Sequence, residues 1–491
     1  MTGDQNIFSQ FTEDERKLLA QIKRFFERLQ CDGELAKAVD RGGVAPEQAA
    51  RLKEAGVTFD MSEMPLGPED QQNTMLYLLA ASRDLEEEFD DELKQFAGRY
   101  PLLKLWGKYL ALLYRKHHYD RKEPPASQSA PFDAWRKRRV AAVRSELGFF
   151  GAMIDHPAFA YELSEGCSVG CWFCSFAPHK LTGILDYITG RDEAMSIVNH
   201  CAGIFGKEAA GSALPYYRTE PHDNPNYVNF LRDFEQSTGE VLCTSTAVCG
   251  DLGWLRELIS YYRRGDVRYH WPRLSILSLE IMDKVHAAFT PEDLLEIELL
   301  VQVRGHYRPK VTGGRILEEH AGLREREDFS DRNCVSFVPQ GSIACVSGFN
   351  INLVTRAVML FSPCYVSGRW PYGYRVFAER RYEDADHFPS VINEMIENYM
   401  PLSPPQKKIV KFRDDIVFRP TEKGFDLATP NQLHHFKGRD KCGPLGELIS
   451  SGEYTYEKLA GELAAKHKAN PIILRTAAQQ LFDDGFLDEV Y

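Results

Sequence analysis

The chain has no run of about 18 apolar residues, so a membrane-spanning helix is excluded. No fixed period recurs along it, which excludes solenoid, collagen and coiled-coil architectures. Its first residues, MTGDQNIFSQFTEDERK, lack the basic start and apolar core of a secretory signal, and a cytoplasmic location is expected. Basic residues are in deficit, 59 Lys+Arg against 71 Asp+Glu, so neither a nucleic acid nor a membrane surface is an expected partner. Cysteine is sparse: 11 in 491 residues, an odd and uneven set that excludes a disulfide scaffold. What remains, 43% hydrophobic and 26% charged residues, is the balance of a folded protein. The length suggests roughly two to four domains.

Residues 1–150 read as a helical N-terminal region. FTEDERKLLAQIKRFFERL places apolar residues at helical spacing, and LYLLAASRDLEEEFDDELKQFAGRY repeats this with an acidic solvent face. EPPASQSAP is the best linker, and RKRRVAAVRSELGFFGAMI beyond it reads as a helix leading into a strand, AFAYELSEG. Across 151–332, strand-like and helical runs alternate: SALPYYRTEP then NYVNFLRDFEQS, GEVLCTSTAV then LGWLRELISYYRR, PRLSILSL then TPEDLLEIELLVQ. The expected class is therefore α/β with a parallel sheet or barrel whose chemistry gathers at C-terminal strand ends. Residues 333–410 read as a β-rich extension with a hairpin. Residues 411–491 read as strands followed by three helices, the second capped by Thr455 and the third by Asn470 with Pro471 at its first position.

Three cysteines crowd into SEGCSVGCWFCSFAPHK as Cys167, Cys171 and Cys174, a C-x3-C-x2-C spacing. Structural zinc asks for four protein ligands, and only His179 could complete a set locally. Three thiolates on one loop can instead hold three irons of a single 4Fe–4S cluster, leaving the fourth iron open to a ligand. The zinc site with His179 stands as the alternative.

CSVGCWFC, with the aromatic Phe173 before its last cysteine, resembles the radical S-adenosylmethionine (SAM) signature. The resemblance implies a partial (β/α)6, TIM-like barrel with the cluster loop after the first strand. SAM's amine and carboxylate would bind the open iron, and one electron would cleave it to a 5′-deoxyadenosyl radical. It further implies that Glu220, in Arg218-Thr219-Glu220-Pro221, faces the SAM amine as a charge-assisted partner. Thr244, Ser275 and Ser278, at later strand ends, are candidates for its ribose or carboxylate oxygens. Cys334, Cys345, Cys364 and Cys442 are spaced by 11, 19 and 78 residues, so no auxiliary cluster is expected.

The wider pattern resembles the radical SAM peptide epimerases that mature ribosomally made peptides of the proteusin type. It rests on EGCSVGCWFC, YYRTEPHDNPNY, RLSILSLEIMDKVHAAFTPEDLL, ACVSGFNINLV and SPCYVSGRWPYGYRVF. Such enzymes turn L- into D-residues: removal of a Cα hydrogen erases the stereocentre, and a thiol returns a hydrogen from the opposite face. The donor cannot be a cluster ligand. Cys364 in SPCYVSG is the first candidate, Cys345 the second and Cys334 the third, each against the alternative of an inert buried thiol. Cys243 and Cys249 read as packing residues.

Residues 411–491 carry 11 basic and 13 acidic residues, and the last helix offers a single arginine, which argues against a DNA-binding winged helix. The layout resembles the peptide-recognition element of ribosomal-peptide enzymes, which adds a leader strand to its sheet edge; a structural cap is the alternative. The segment FFERLQCDGELAKAVDRGGVAPEQAARLKEAGVTFDMSEM resembles helical leader peptides, though a bundle packed on the barrel explains it equally. The implied partners are a precursor peptide with a leader and an electron donor of flavodoxin or ferredoxin type. A different radical SAM peptide modification, a Cα cross-link or cyclisation, is the nearest rival reading, and a zinc-binding scaffold the non-enzymatic one.

Overall fold

A computed structural model describes residues 7–67, 69–81, 91–115, 125–263, 272–304, 310–311, 313–316, 337–338, 342–437, 442–467 and 471–490. Cys334 and Asn470, and the expectations attached to them, lie outside these residues. In chain order the strands are β1 (Phe159–Glu162), β2 (Ser164–Glu165) and β3 (Gly183–Ile184), then β4 (Ser245–Thr246), β5 (Arg273–Ile276) and β6 (Glu298–Val301). Two short strands follow, β7 (Lys310–Val311) and β8 (Phe337–Val338), and then β9 (Gly348–Asn352), β10 (Ala357–Pro363) and β11 (Tyr374–Arg381). The last are β12 (Val417–Thr421), β13 (Gly424–Ala428) and β14 (Leu433–Lys437). The chain is mixed α/β. Among the described residues its strands form five small sheets, none closed into a barrel.

The molecule divides into two units, the first comprising Met1–Glu123, Cys243–Tyr307 and Asn333–Val335. Its first long helix, Glu13–Cys31, forms where the periodicity predicts it. Thr12 and Glu15 exchange capping hydrogen bonds, and Glu13 and Asp14 complement the helix dipole. Leu19, Ile22 and Phe25 are buried on one face. So are three cationic side chains. Lys23 Nζ donates to Leu294 O (3.0 Å) and Ile297 O (2.7 Å), Arg24 donates to Ala55 O (2.8 Å) and Phe289 O (2.7 Å), and Arg28 pairs with Asp283 (2.6 Å). These bonds tie the helix to the parallel β4-β5-β6 sheet and its connections.

The second unit comprises Pro124–Leu242, Arg308–Arg332 and Ser336–Tyr491. Its main sheet has the order β1-β9-β10-β11, with β1 parallel to β9 and the rest antiparallel. The hairpin expected in 333–410 is β9–β10, and it pairs directly with the strand that leads to the cysteines. Phe132 and Phe205 pack against Phe159 and Phe349 of this sheet in stacked, tilted and edge-to-face contacts. SALPYYRTEP, expected as a strand, contributes only a bridge between Leu214 and Ala160. Pro215, the positive φ of Arg218 (59°) and Pro221 turn the rest away from a ladder. GEVLCTSTAV likewise reaches strand geometry only at Ser245–Thr246.

From residue 417 the antiparallel meander β12-β13-β14 is followed by helices Cys442–Ser451, Tyr456–His467 and Pro471–Asp483. Thr455 O accepts from Leu459 N at 2.9 Å, the geometry of the expected cap. Phe412, Phe425, Leu427, Ile449, Leu463 and Phe482 belong to the core beneath them.

Candidate functional site

The cysteine loop hangs from a clasp in the second unit. β2 and β3 pair antiparallel, Ser164 with Ile184 and Glu165 with Gly183, and Cys167 N donates to His179 O at 3.0 Å just inside that pair. Gly166 makes the entry turn with φ 81°. A Cβ there would lie 2.5 Å from Lys180 O and 2.7 Å from His179 O, so only glycine fits. Gly170 (φ 64°) turns the loop again between the first two cysteines. Cys174 N donates to Cys171 O, Arg315 N donates to Cys174 O, and Arg315 Nη2 donates to Pro178 O at 2.7 Å, which holds the loop's far side.

Cys167, Cys171 and Cys174 are all half-buried. Burial, the neighbouring thiols of Cys174 and Cys167, and the Glu220 carboxylate push the Cys171 thiol up to about 12. Burial also raises Cys167, while the amides of Gly170 and Val169 pull it back. Glu220 therefore lies within electrostatic reach of two of the cysteines. It is buried at the start of a short 3-10 turn, where its Oε1 accepts from His222 N at 3.2 Å. Asp223, on the same turn, accepts from Ser168 N at 3.0 Å and ties the turn to the loop.

Three thiols beside a carboxylate are a donor set of the kind a multiply charged metal centre would stabilise, since its charge favours the thiolate form. Among the described residues no three His, Cys, Asp or Glu side chains converge as a site for a single ion. A cubane would place each thiolate on its own iron, and Cys167, Cys171 and Cys174 are the residues that would hold one.

Beside the loop opens a cavity of about 450 Å³ that Glu165, Gly166 and His179 share with β1, β9, β10 and β11. At its floor is Glu162, whose Oε1 accepts from Asn350 Nδ2 (2.9 Å) and Oε2 from Asn352 Nδ2 (2.8 Å). Burial raises the Glu162 carboxyl, opposed by Arg218, whose Nε stands 3.8 Å from Oε1. None of these four residues was among the site residues expected from the sequence. Their signal was present in GFNINL, where Asn350 and Asn352 alternate with Phe349 and Ile351 in a buried strand.

Of the other candidates, Thr244, Ser275 and Ser278 lie in the first unit. Thr244 and Ser275 are buried, and Ser278 caps helix Leu279–Ala288 by accepting from Ile281 N at 3.2 Å. Cys243 and Cys249 are buried there too. Cys364 is fully buried, and burial pushes its thiol well above the ordinary range. It sits on the face of the sheet where Arg375 Nη1 meets Glu146 Oε1 at 2.8 Å. Phe176 of the cysteine loop packs instead against Tyr217 (4.6 Å between ring centroids) and Tyr374, on the opposite face. The structure thus does not bring Cys364 to the trio. Half-buried Cys345 is nearer that side, with its backbone amide directed at the Tyr217 hydroxyl.

No helix among the described residues is long and apolar enough to cross a membrane. No protein-family model matches the chain. The chain is 31% identical over 495 residues to the uncharacterized protein y4wI of Sinorhizobium fredii (strain NBRC 101917 / NGR234), a match covering 99% of this chain and 90% of that protein. At that identity over nearly the whole of both chains, this protein belongs to the family of y4wI.

Proposed function

We propose that this chain is a cytoplasmic radical SAM enzyme that converts L- to D-residues in a ribosomally made precursor peptide, on the partial (β/α)6 barrel of that superfamily. The observation that carries the reading is the clasped loop holding Cys167, Cys171 and Cys174 together with Glu220 at its side. When bound, the cluster and SAM would supply a reductively generated acceptor for a substrate hydrogen atom.

The chain's own residues do the rest. Glu220 would pair with an ammonium group beside the loop. A neutral thiol returns a hydrogen atom to the planar Cα, and the sulfur radical left behind takes one electron from the external electron donor and a proton from water to restore the thiol; Cys364 and Cys345 are the candidates among the described residues. Placement favours Cys345, on the Tyr217 side of the sheet. The meander and three helices from residue 417 would bind the precursor's leader by strand addition. Pro420 has no N–H to offer on the β12 edge, which leaves β14 as the receptive one.

Anaerobic purification tests the reading first. A brown protein with roughly four irons per chain that releases deoxyadenosine from SAM with dithionite is expected. A colourless zinc protein sinks it. Coexpression with the precursor in deuterated water should then place a deuterium at each inverted centre; loss of two hydrogens would establish cross-linking instead. Cys345→Ala and Cys364→Ala separate the donors, since the true donor's loss abolishes D-residues while SAM cleavage persists.

A further inference from the structure

The cavity at Glu162 contains two buried groups that its own residues leave unmatched. Asn350, only 4% exposed, donates through Nδ2 to Glu162, yet its Oδ1 has no hydrogen-bond partner. Arg218 Nε, also buried, has none either, because 3.8 Å to Glu162 Oε1 is too long. Both flank the same carboxylate oxygen. One is an acceptor wanting a donor, and the other a donor wanting an acceptor. Leaving either unsatisfied in a ligand complex is costly, so the pair selects what can serve both.

Charge narrows the ligand class. Of the carboxylates and guanidinium groups that line it, Glu162, Glu165 and Glu379 disfavour an anion and Arg218, Arg380 and Arg381 a cation, and the two sets offset one another. The occupant is then neutral, with a hydrogen-bond donor and an acceptor on separate atoms, since the two orphan groups belong to separate residues. That is an amide. The cavity's size, about 450 Å³, suits one residue or a short peptide segment, and Met359 adds an apolar wall.

We propose that Glu162, Asn350 and Arg218 form an amide-binding subsite beside the cysteine loop, with Asn350 Oδ1 accepting the ligand N–H and Arg218 Nε donating to its C=O. The amide's source rests on the peptide-modifying reading above. A trans main-chain amide presents its N–H and C=O on opposite edges, and a side-chain carboxamide presents both on one.

Ligand-observed NMR titration of the full-length protein as purified tests this with three probes: N-acetylalanine N′-methylamide, propionamide and methyl propionate. The ester, lacking N–H, should bind about five- to tenfold more weakly than the better amide. Preference for the capped residue identifies a main-chain amide, and preference for propionamide an Asn or Gln side chain; either supports the subsite. Arg218→Lys keeps the charge and loses Nε, and Asn350→Thr loses Oδ1 while keeping a donor for Glu162. Each should weaken the better amide by a similar factor; Asn350→Thr should leave the ester unchanged, whereas Arg218→Lys should weaken the ester as well, because its C=O meets the same Nε. Absence of amide binding, equal affinity for amide and ester, or variants indistinguishable from the parent overturns the proposal. The titration needs neither iron nor SAM. A failed cluster assay with amide selectivity intact removes the radical reading alone, and the reverse result removes only the subsite.

Discussion

His156 is buried beside Arg136, with Nδ1 2.8 Å from Ser347 Oγ. Burial, reinforced by Arg136 and Arg144, pulls its pKa from 6.5 to about 3. The folded state therefore refuses a proton that the unfolded chain accepts below pH 6.5. Stability contributed by the neutral ring is whole above that pH and falls as pH drops, by up to about 1.4 kcal/mol per unit until the folded pKa is approached. Urea unfolding over a pH series should show this slope, and His156→Asn, which tolerates the positive φ of 50° and does not titrate, should lose it. An unchanged slope would move the effect to another group. Gly166 makes a second prediction at this scale. Gly166→Ala puts a Cβ against the backbone of His179 and Lys180, so iron content after anaerobic reconstitution should drop several-fold while far-ultraviolet dichroism stays native.

At the scale of elements, local signals were most legible where a repeat or a cap specified them. The helix Glu13–Cys31, the hairpin β9–β10 and the strands-then-helices order after residue 411 all follow from periodicity and turn chemistry. Strand–helix alternation alone did not give strand lengths. In SALPYYRTEP and GEVLCTSTAV, apolar residues that look like ladders are buried through turns and single bridges instead. The β14 edge carries the prediction for this level. His435 is exposed there and bonded only to the neighbouring strand through Asp426 at 2.8 Å. His435→Pro should lower affinity for a labelled precursor leader at least tenfold by fluorescence anisotropy, against a small effect of His435→Ala. Equal effects of the two would place the leader elsewhere.

For the second unit as a whole, buried charge joins its last residues to the helix Ala130–Leu147. Glu489 receives Arg138 through Nε (3.2 Å) and Nη2 (2.9 Å), and Arg139 as well, with all three side chains essentially inaccessible. Burial pulls Arg139 down to about 10 even with Glu489 beside it. Asn431 and Thr429 add bonds to the carbonyls of Glu146 and Ser145. Removing one partner of such a cluster strands the others. Glu489→Gln should cost about 3–5 kcal/mol in denaturant unfolding of the full chain. A cost below 1 kcal/mol would mean that the arginines find water in the folded protein. Truncation before residue 411 should fail to give soluble protein for the same reason.

The local order of residues determined by itself the cysteine spacing, the amphipathic helices, the caps and the absence of a spanning segment, because each depends on neighbours within a few turns of chain. Only the tertiary structure decided that Glu162, Arg218 and Asn350 share one cavity, that Cys364 and Phe176 lie on opposite faces of a sheet, and that the N-terminal helix anchors to β4–β6. Those relations join residues from about 50 to 270 positions apart, and long-range pairing is set by which side chains pack and bond across the fold, a constraint that no local pattern records.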